Sequence, residues 1–216
     1  MTISEIYARY PVTPNLARHM LRVGAVTRLI LDHWTGPQLE EETMMRIALL
    51  HDTGNILKFD FEGHPHLLEE EQANLEHWKN LQAKWASRFA NEDEMTYAIA
   101  AECGLGEDGI AMMKNLGYGL MDRIAAEPRF ERKIVKYADM RAAPFGILPL
   151  KDRLEEGHRR YAKHPTITID HSKTEILETA AFEVERQIMA HCTLTPGDIT
   201  EEAVAPVMEA LRSYEL

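Results

Sequence analysis

The sequence predicts an all-α protein, and three observations carry that prediction. Apolar residues recur at spacings of three and four along most of the 216 residues. Helix start and stop signals (Thr-Pro, acidic first turns, Gly-Pro, Gly-x-Gly) punctuate those runs. Alternation with period two is confined to Thr166, Ile167, Thr168 and Ile169, too short to make a sheet by itself.

The elements follow in order. Thr13 is an N-cap ahead of Pro14, whose missing N–H costs nothing at the first helical position. Leu16, Met20, Val23, Thr27, Ile30 and Trp34 then fall on one stripe, and Gly36-Pro37 ends the helix. Glu40, Glu41 and Glu42 open a second helix at its positive end. It continues through Met44, Met45, Ile47, Ala48, Leu49 and Leu50, apolar on nearly all sides, as a central buried helix is, with Gly54 expected as its C-terminal cap. Residues 58–66 read as a loop rich in aromatics and histidines. A charged helix is expected over about 67–89, carrying Leu75, Trp78, Leu81, Trp85 and Phe89. Shorter helices are expected over 93–103 and 107–116, parted by Gly104-Leu105-Gly106, with another break at Gly117-Tyr118-Gly119. Pro128 starts a helix that turns Ile134, Val135, Ala138 and Ala142 inward and stops before Pro144. Ser172-Lys173-Thr174-Glu175 is a capping-box pattern opening a helix to about residue 191, and a last helix covers about 200–213. No repeat, low-complexity run or long linker divides the chain, so one domain is expected.

Composition narrows the function classes. A chain of this length buries about 70% of its unfolded surface and needs no staple. Asp and Glu number 35 against 24 Lys and Arg, a formal charge of −11. Such a body is repelled by duplex nucleic acid, and no strong basic patch offsets that. The longest apolar runs fall far short of the roughly 20 residues that cross a bilayer. Residues 1–6 carry no basic stretch followed by an apolar core, so no secretory leader is expected. Cys103 and Cys192 fit reduced thiols, and the cytoplasm is the expected location.

Four residues stand out by position. His19 lies three after Leu16 and four before Val23, on the apolar face of the first helix. His51 ends the buried second helix with Asp52 beside it, and Asp139 lies four after Val135 and three before Ala142. A single inward histidine is commonly a hydrogen-bonded core residue, an inward aspartate a cap or half an ion pair, and a His-Asp doublet arises by chance. Here three separate helices place such groups on their apolar sides. Burying a lone carboxylate is costly unless it is paired or metal-bound, and two imidazoles with two carboxylates can together grip a divalent cation.

These residues resemble the signature of the HD-domain metal-dependent phosphohydrolases: a histidine on one helix, a His-Asp doublet on the next, and a distant aspartate on a later helix. The chain has His19 in Arg18-His19-Met20-Leu21-Arg22-Val23, the doublet in Leu49-Leu50-His51-Asp52-Thr53-Gly54, and Asp139 in Tyr137-Ala138-Asp139-Met140. The resemblance covers roughly residues 13–143 and leaves 144–216 as a helical extension of the bundle. It implies that His19, His51, Asp52 and Asp139 ligate one divalent ion (Mn, Fe, Co, Ni, Zn or Mg). It also implies hydrolysis of a phosphoester of a nucleotide or a similar small phosphorylated substrate.

On that mechanism Asp52 aligns the attacking water, and Arg22 and Lys58 are the candidate catalytic cations for the developing charge. Arg22 reads equally as half of an ion pair, Lys58 as a solvated lysine, and Asp60 has only proximity in sequence. Departures from the family are informative. Members with two metals carry further histidines before the last aspartate, but none lies between His77 and His158, which favours a mononuclear site. His64 and His66 either approach the site from their loop or face solvent. Asn55 stands where some members carry a glutamate, and an amide cannot act as a general acid. A catalytically weak or inactive ligand-binding or regulatory domain with a retained metal is therefore the alternative. The mixed-charge segment 149–161 either lines a substrate mouth or is a solvated helix, and Trp78, Trp85 and Tyr97 either stack on a base or complete the core. The amphipathic C-terminal helices permit homo-oligomerisation.

Overall fold

The computed structural model describes residues 1–62, 70–161 and 171–216. His64, His66 and the alternating stretch at 166–169 lie outside the described residues. The fold is all-α, as expected. The first helix, α1 (Ile3–Arg9), is too short to show periodicity in the sequence, but Thr2 and Glu5 cap it reciprocally through side chain and backbone. Thr13 caps α2 (Pro14–Asp32) by accepting the Leu16 N–H, with Pro14 in the first turn. After it come α3 (Glu41–Leu50) and a 3-10 turn at Asn55–Lys58. The expected long helix over 67–89 is shorter where described: a 3-10 turn at Glu71–Asn74 leads into α4 (Leu75–Ala86).

Asn91 accepts the Glu94 N–H to cap α5 (Glu92–Glu102), which Gly104, at φ 85, separates from α6 (Glu107–Lys114). The six-residue α7 (Met121–Ala126) falls where no helix was expected. Pro128 does not itself open the next helix, α8 (Glu131–Arg141), which begins three residues later. A small antiparallel hairpin follows, β1 (Ala142–Ala143) and β2 (Gly146–Ile147), with Ala142 opposite Ile147. The segment 149–161 forms α9 (Leu150–Tyr161). Next, α10 (His171–Met189) already includes His171, so Ser172 sits inside the helix rather than capping it. Thr200 caps α11 (Glu201–Leu211).

The core is built where α2, α3 and α8 pack together. Met20, Val23 and Ile30 meet Met44, Ile47, Leu50, Ile134, Val135 and Ala138, all buried. On its other flank α2 packs along α11, so the extension closes the same core. Gly24 allows that close approach: a Cβ there would stand 2.6 Å from a Leu49 methyl and 3.2 Å from one of Leu211. The chain ends meet as well, since the Ile3 N–H donates to the Tyr214 carbonyl at 2.9 Å. Trp78 and Trp85 are half-buried against the core, Trp85 edge-on to Tyr10. No described helix is long and apolar enough to cross a membrane.

Candidate metal centre

Three helices meet with their polar exceptions facing one another. His19 projects from the first half of α2, His51 and Asp52 follow the last residue of α3, and Asp139 lies in the last turn of α8. The two helix C-termini bring partial negative charge to the spot, which favours a cation. One ligand atom from each of His19, His51 and Asp139 lies within 4.8 Å of the others. His19 Nε2 is 3.4 Å from Asp139 Oδ1, and His51 Nε2 is 3.7 Å from the same oxygen. Asp52 is not part of that group of three but lies close to it, its Oδ2 3.7 Å from both imidazole nitrogens. The two rings are tilted by 58° with centroids 5.5 Å apart, so their lone pairs converge and the rings do not stack.

The local structure fixes these side chains. The α3 helix ends at His51, whose N–H still reaches the Ile47 carbonyl at 2.9 Å. Its ring Nδ1 lies 3.0 Å from the Ala48 carbonyl. Donation from Nδ1 leaves Nε2 as the nitrogen with a free lone pair. That Nε2 is buried and has no hydrogen-bond partner among the described residues. A buried acceptor aimed at two carboxylates and a second imidazole is the arrangement a divalent ion completes.

The turn below is anchored from two directions. The Tyr7 hydroxyl donates to the Leu49 carbonyl at 2.7 Å, tying α1 to the end of α3. Thr96 of α5 accepts the Gly54 N–H at 2.9 Å. Gly54 was expected as the C-terminal cap of α3, but His51 holds that position and Gly54 has a φ of −87. It is needed for space instead: a Cβ would stand 2.2 Å from the Glu92 carbonyl oxygen.

Electrostatics follow from that geometry. Burial pulls the His51 imidazolium down, but the nearby carboxylates of Asp52 and Asp139 and the Ala48 carbonyl together raise it to about 9. Burial pushes the Asp139 carboxyl up, and this is outweighed by the Lys136 ammonium and the two imidazoles, which hold it well below the usual carboxylate range.

The remaining expected residues sit as follows. Arg22 is buried and held in a fork by Glu201 of α11, with Nε 3.0 Å and Nη2 2.9 Å from Oε1. Glu201 Oε2 also accepts the Ile147 N–H at 2.9 Å, so Arg22 ties the extension and the hairpin to α2 as an ion pair, while its Nη1 is buried without a partner among the described residues. Lys58 is half-exposed and 3.9 Å from Glu92, as a solvated lysine is. Asn55 is buried in the turn after the doublet, and Asp60 accepts the Glu62 N–H. Sequence reasoning missed two groups. Glu71 is fully buried and accepts the Asn15 N–H at 2.8 Å, closing the first turn of α2, with its second oxygen unpartnered. Lys136 donates to Asp139 Oδ2 at 2.7 Å. Its position three before an inward aspartate was the signal available.

A family model described as the HD domain matches residues 16–143, more than half of the chain. The chain belongs to the HD-domain family. The match spans all four converging side chains, from His19 to Asp139. No curated protein and no solved structure matches the chain. HD domains are all-α, bind divalent metals and generally act as hydrolases, and the His19, His51 and Asp139 group of this HD domain could hold such an ion.

Proposed function

We propose that this HD domain is a phosphohydrolase that cleaves a phosphoester of a small substrate, a nucleotide or similar molecule, with one divalent ion held by His19, His51, Asp52 and Asp139. The observation that carries this reading is the buried, unpartnered Nε2 of His51, 3.7 Å from carboxylate oxygens of both Asp52 and Asp139. An ion held by this mixed nitrogen and oxygen set lowers the pKa of a water and polarises a phosphoryl oxygen. Asp139 and the His51 imidazole form the fixed part of the set, since Asp139 is locked by Lys136 and His51 by the Ala48 carbonyl. Asp52, beside both imidazoles, is placed to take the proton of the attacking water on a carboxylate oxygen. Arg22 and Lys58 receive developing charge only by leaving Glu201 and solvent respectively, so their roles remain secondary in this proposal.

A second reading rests on Asn55. An amide buried one turn after the doublet gives the leaving group no proton, which favours a ligand-binding or regulatory domain that keeps its ion. Nucleoside monophosphates and simple phosphoesters, offered with Mn²⁺, Co²⁺, Ni²⁺ or Mg²⁺, separate the two. The hydrolase reading expects phosphate release that Asp52→Asn abolishes without loss of helicity. Metal-loaded protein that retains nucleotide and cleaves none of the panel establishes the binding reading in its place.

A further inference from the structure

The two oxygens of Asp139 are divided between different partners. Oδ1 faces the imidazole nitrogens of His19 and His51 at 3.4 and 3.7 Å. Oδ2 accepts a hydrogen bond from the Lys136 ammonium at 2.7 Å. Lys136 and Asp139 lie three apart on one face of α8, so the contact is built into a single helix and does not depend on how other elements move. The lysine side chain is only 9% exposed, and a buried ammonium that loses its carboxylate is left uncompensated at high cost. Oδ2 is therefore held away from any ion seated among the imidazoles.

From this we infer that Lys136 is a positioning residue that keeps Asp139 a single-oxygen ligand, so that an ion in the centre retains a coordination position for water or substrate. A free carboxylate can close on a cation with both oxygens and fill that position. The ammonium prevents this. It also leaves the loaded centre one unit more positive than its ligands alone would, which suits an anionic substrate. The inference rests on the metal-centre reading above.

Mn²⁺ titration of the metal-stripped full chain, followed by water-proton relaxation and calorimetry, tests both separately. Wild-type protein is expected to bind Mn²⁺ with exchangeable inner-sphere water. Lys136→Met is expected to lose one such water and to bind the ion about ten-fold more tightly, because a like charge has gone. Lys136→Arg is expected to restore the wild-type water count. A merely structural lysine predicts the opposite for Lys136→Met: weaker binding from a loosened Asp139, or no change, and either overturns the proposal. Should Lys136→Met fail to fold, Lys136→Leu makes the same change of charge, likewise removes the donor, and is read in the same way. Wild-type protein that binds no Mn²⁺ overturns the metal centre itself, and this proposal with it.

Discussion

Two helices deliver ligands from their C-terminal ends, and different interactions hold them in the core. Met44, Met45, Ile47, Ala48, Leu49 and Leu50 of α3 are buried in contact with apolar neighbours. Buried Glu131, Lys133, Lys136 and Arg141 of α8 lie beside its Ile134, Val135 and Ala138. Each of those charges has a dedicated partner. Glu131 pairs with Arg129, Lys133 with the Glu127 carbonyl and Gln187, and Lys136 with Asp139. Arg141 donates to the Tyr137 hydroxyl at 2.6 Å and to the Ile199 carbonyl at 2.9 Å, reaching the Leu148 carbonyl as well. Apolar packing tolerates small shifts, whereas a buried ion must keep its partner. The His51-Asp52 end of the site is thus set by packing, and the Asp139 end by a chain of ionic and polar contacts.

Breaking that chain is expected to have the largest effect. Arg141→Met strands several carbonyls and the Tyr137 hydroxyl without donors and should cost about 4 kcal/mol of stability, read by denaturant unfolding. A loss under about 1 kcal/mol would show that α8 is held by its apolar face alone. On the packing side, Leu50→Ala should cost about 3 kcal/mol while leaving the metal affinity of the folded protein unchanged. A large change in metal affinity would mean that packing under the doublet does more than support it. Tyr7→Phe removes one hydrogen bond to the end of α3 and should cost about 1 kcal/mol.

The smallest effect sharpens the comparison through pH. The folded value of His51, about 9, lies above its ordinary 6.5. Its proton therefore stabilises the ion-free fold fully below about pH 6.5, and that contribution disappears as pH rises through about 9. Metal-free wild-type protein should lose stability across that window relative to His51→Gln, as thermal melts at several pH values will read. Parallel curves would exclude a shared proton in the site.

The same contrast explains what was legible in the sequence. The α2 and α3 helices announce themselves by apolar periodicity, and His19, His51 and Asp52 stand out as polar exceptions on those faces. Asp139 was found on the same ground, because Val135 and Ala142 mark its face. Among the buried charges of α8, Lys133 and Arg141 were not legible, because they reach partners on other elements; Lys136 was signalled only by its spacing to Asp139. The partner of Arg22 was hidden for the same reason, since Glu201 lies at the far end of the chain. Two short helices, α1 and α7, carry too few residues to show a period, and Gly54 signals only a special backbone site, not that Glu92 crowds it.

The central claim is that His19, His51, Asp52 and Asp139 share one divalent cation. Titrating metal-stripped protein with Mn²⁺ and counting bound ions tests it most directly. One ion per chain is expected, and for His51→Ala an affinity lower by about 100-fold or more at unchanged helicity. Equal binding by wild type and His51→Ala, or no bound ion in either, would contradict it.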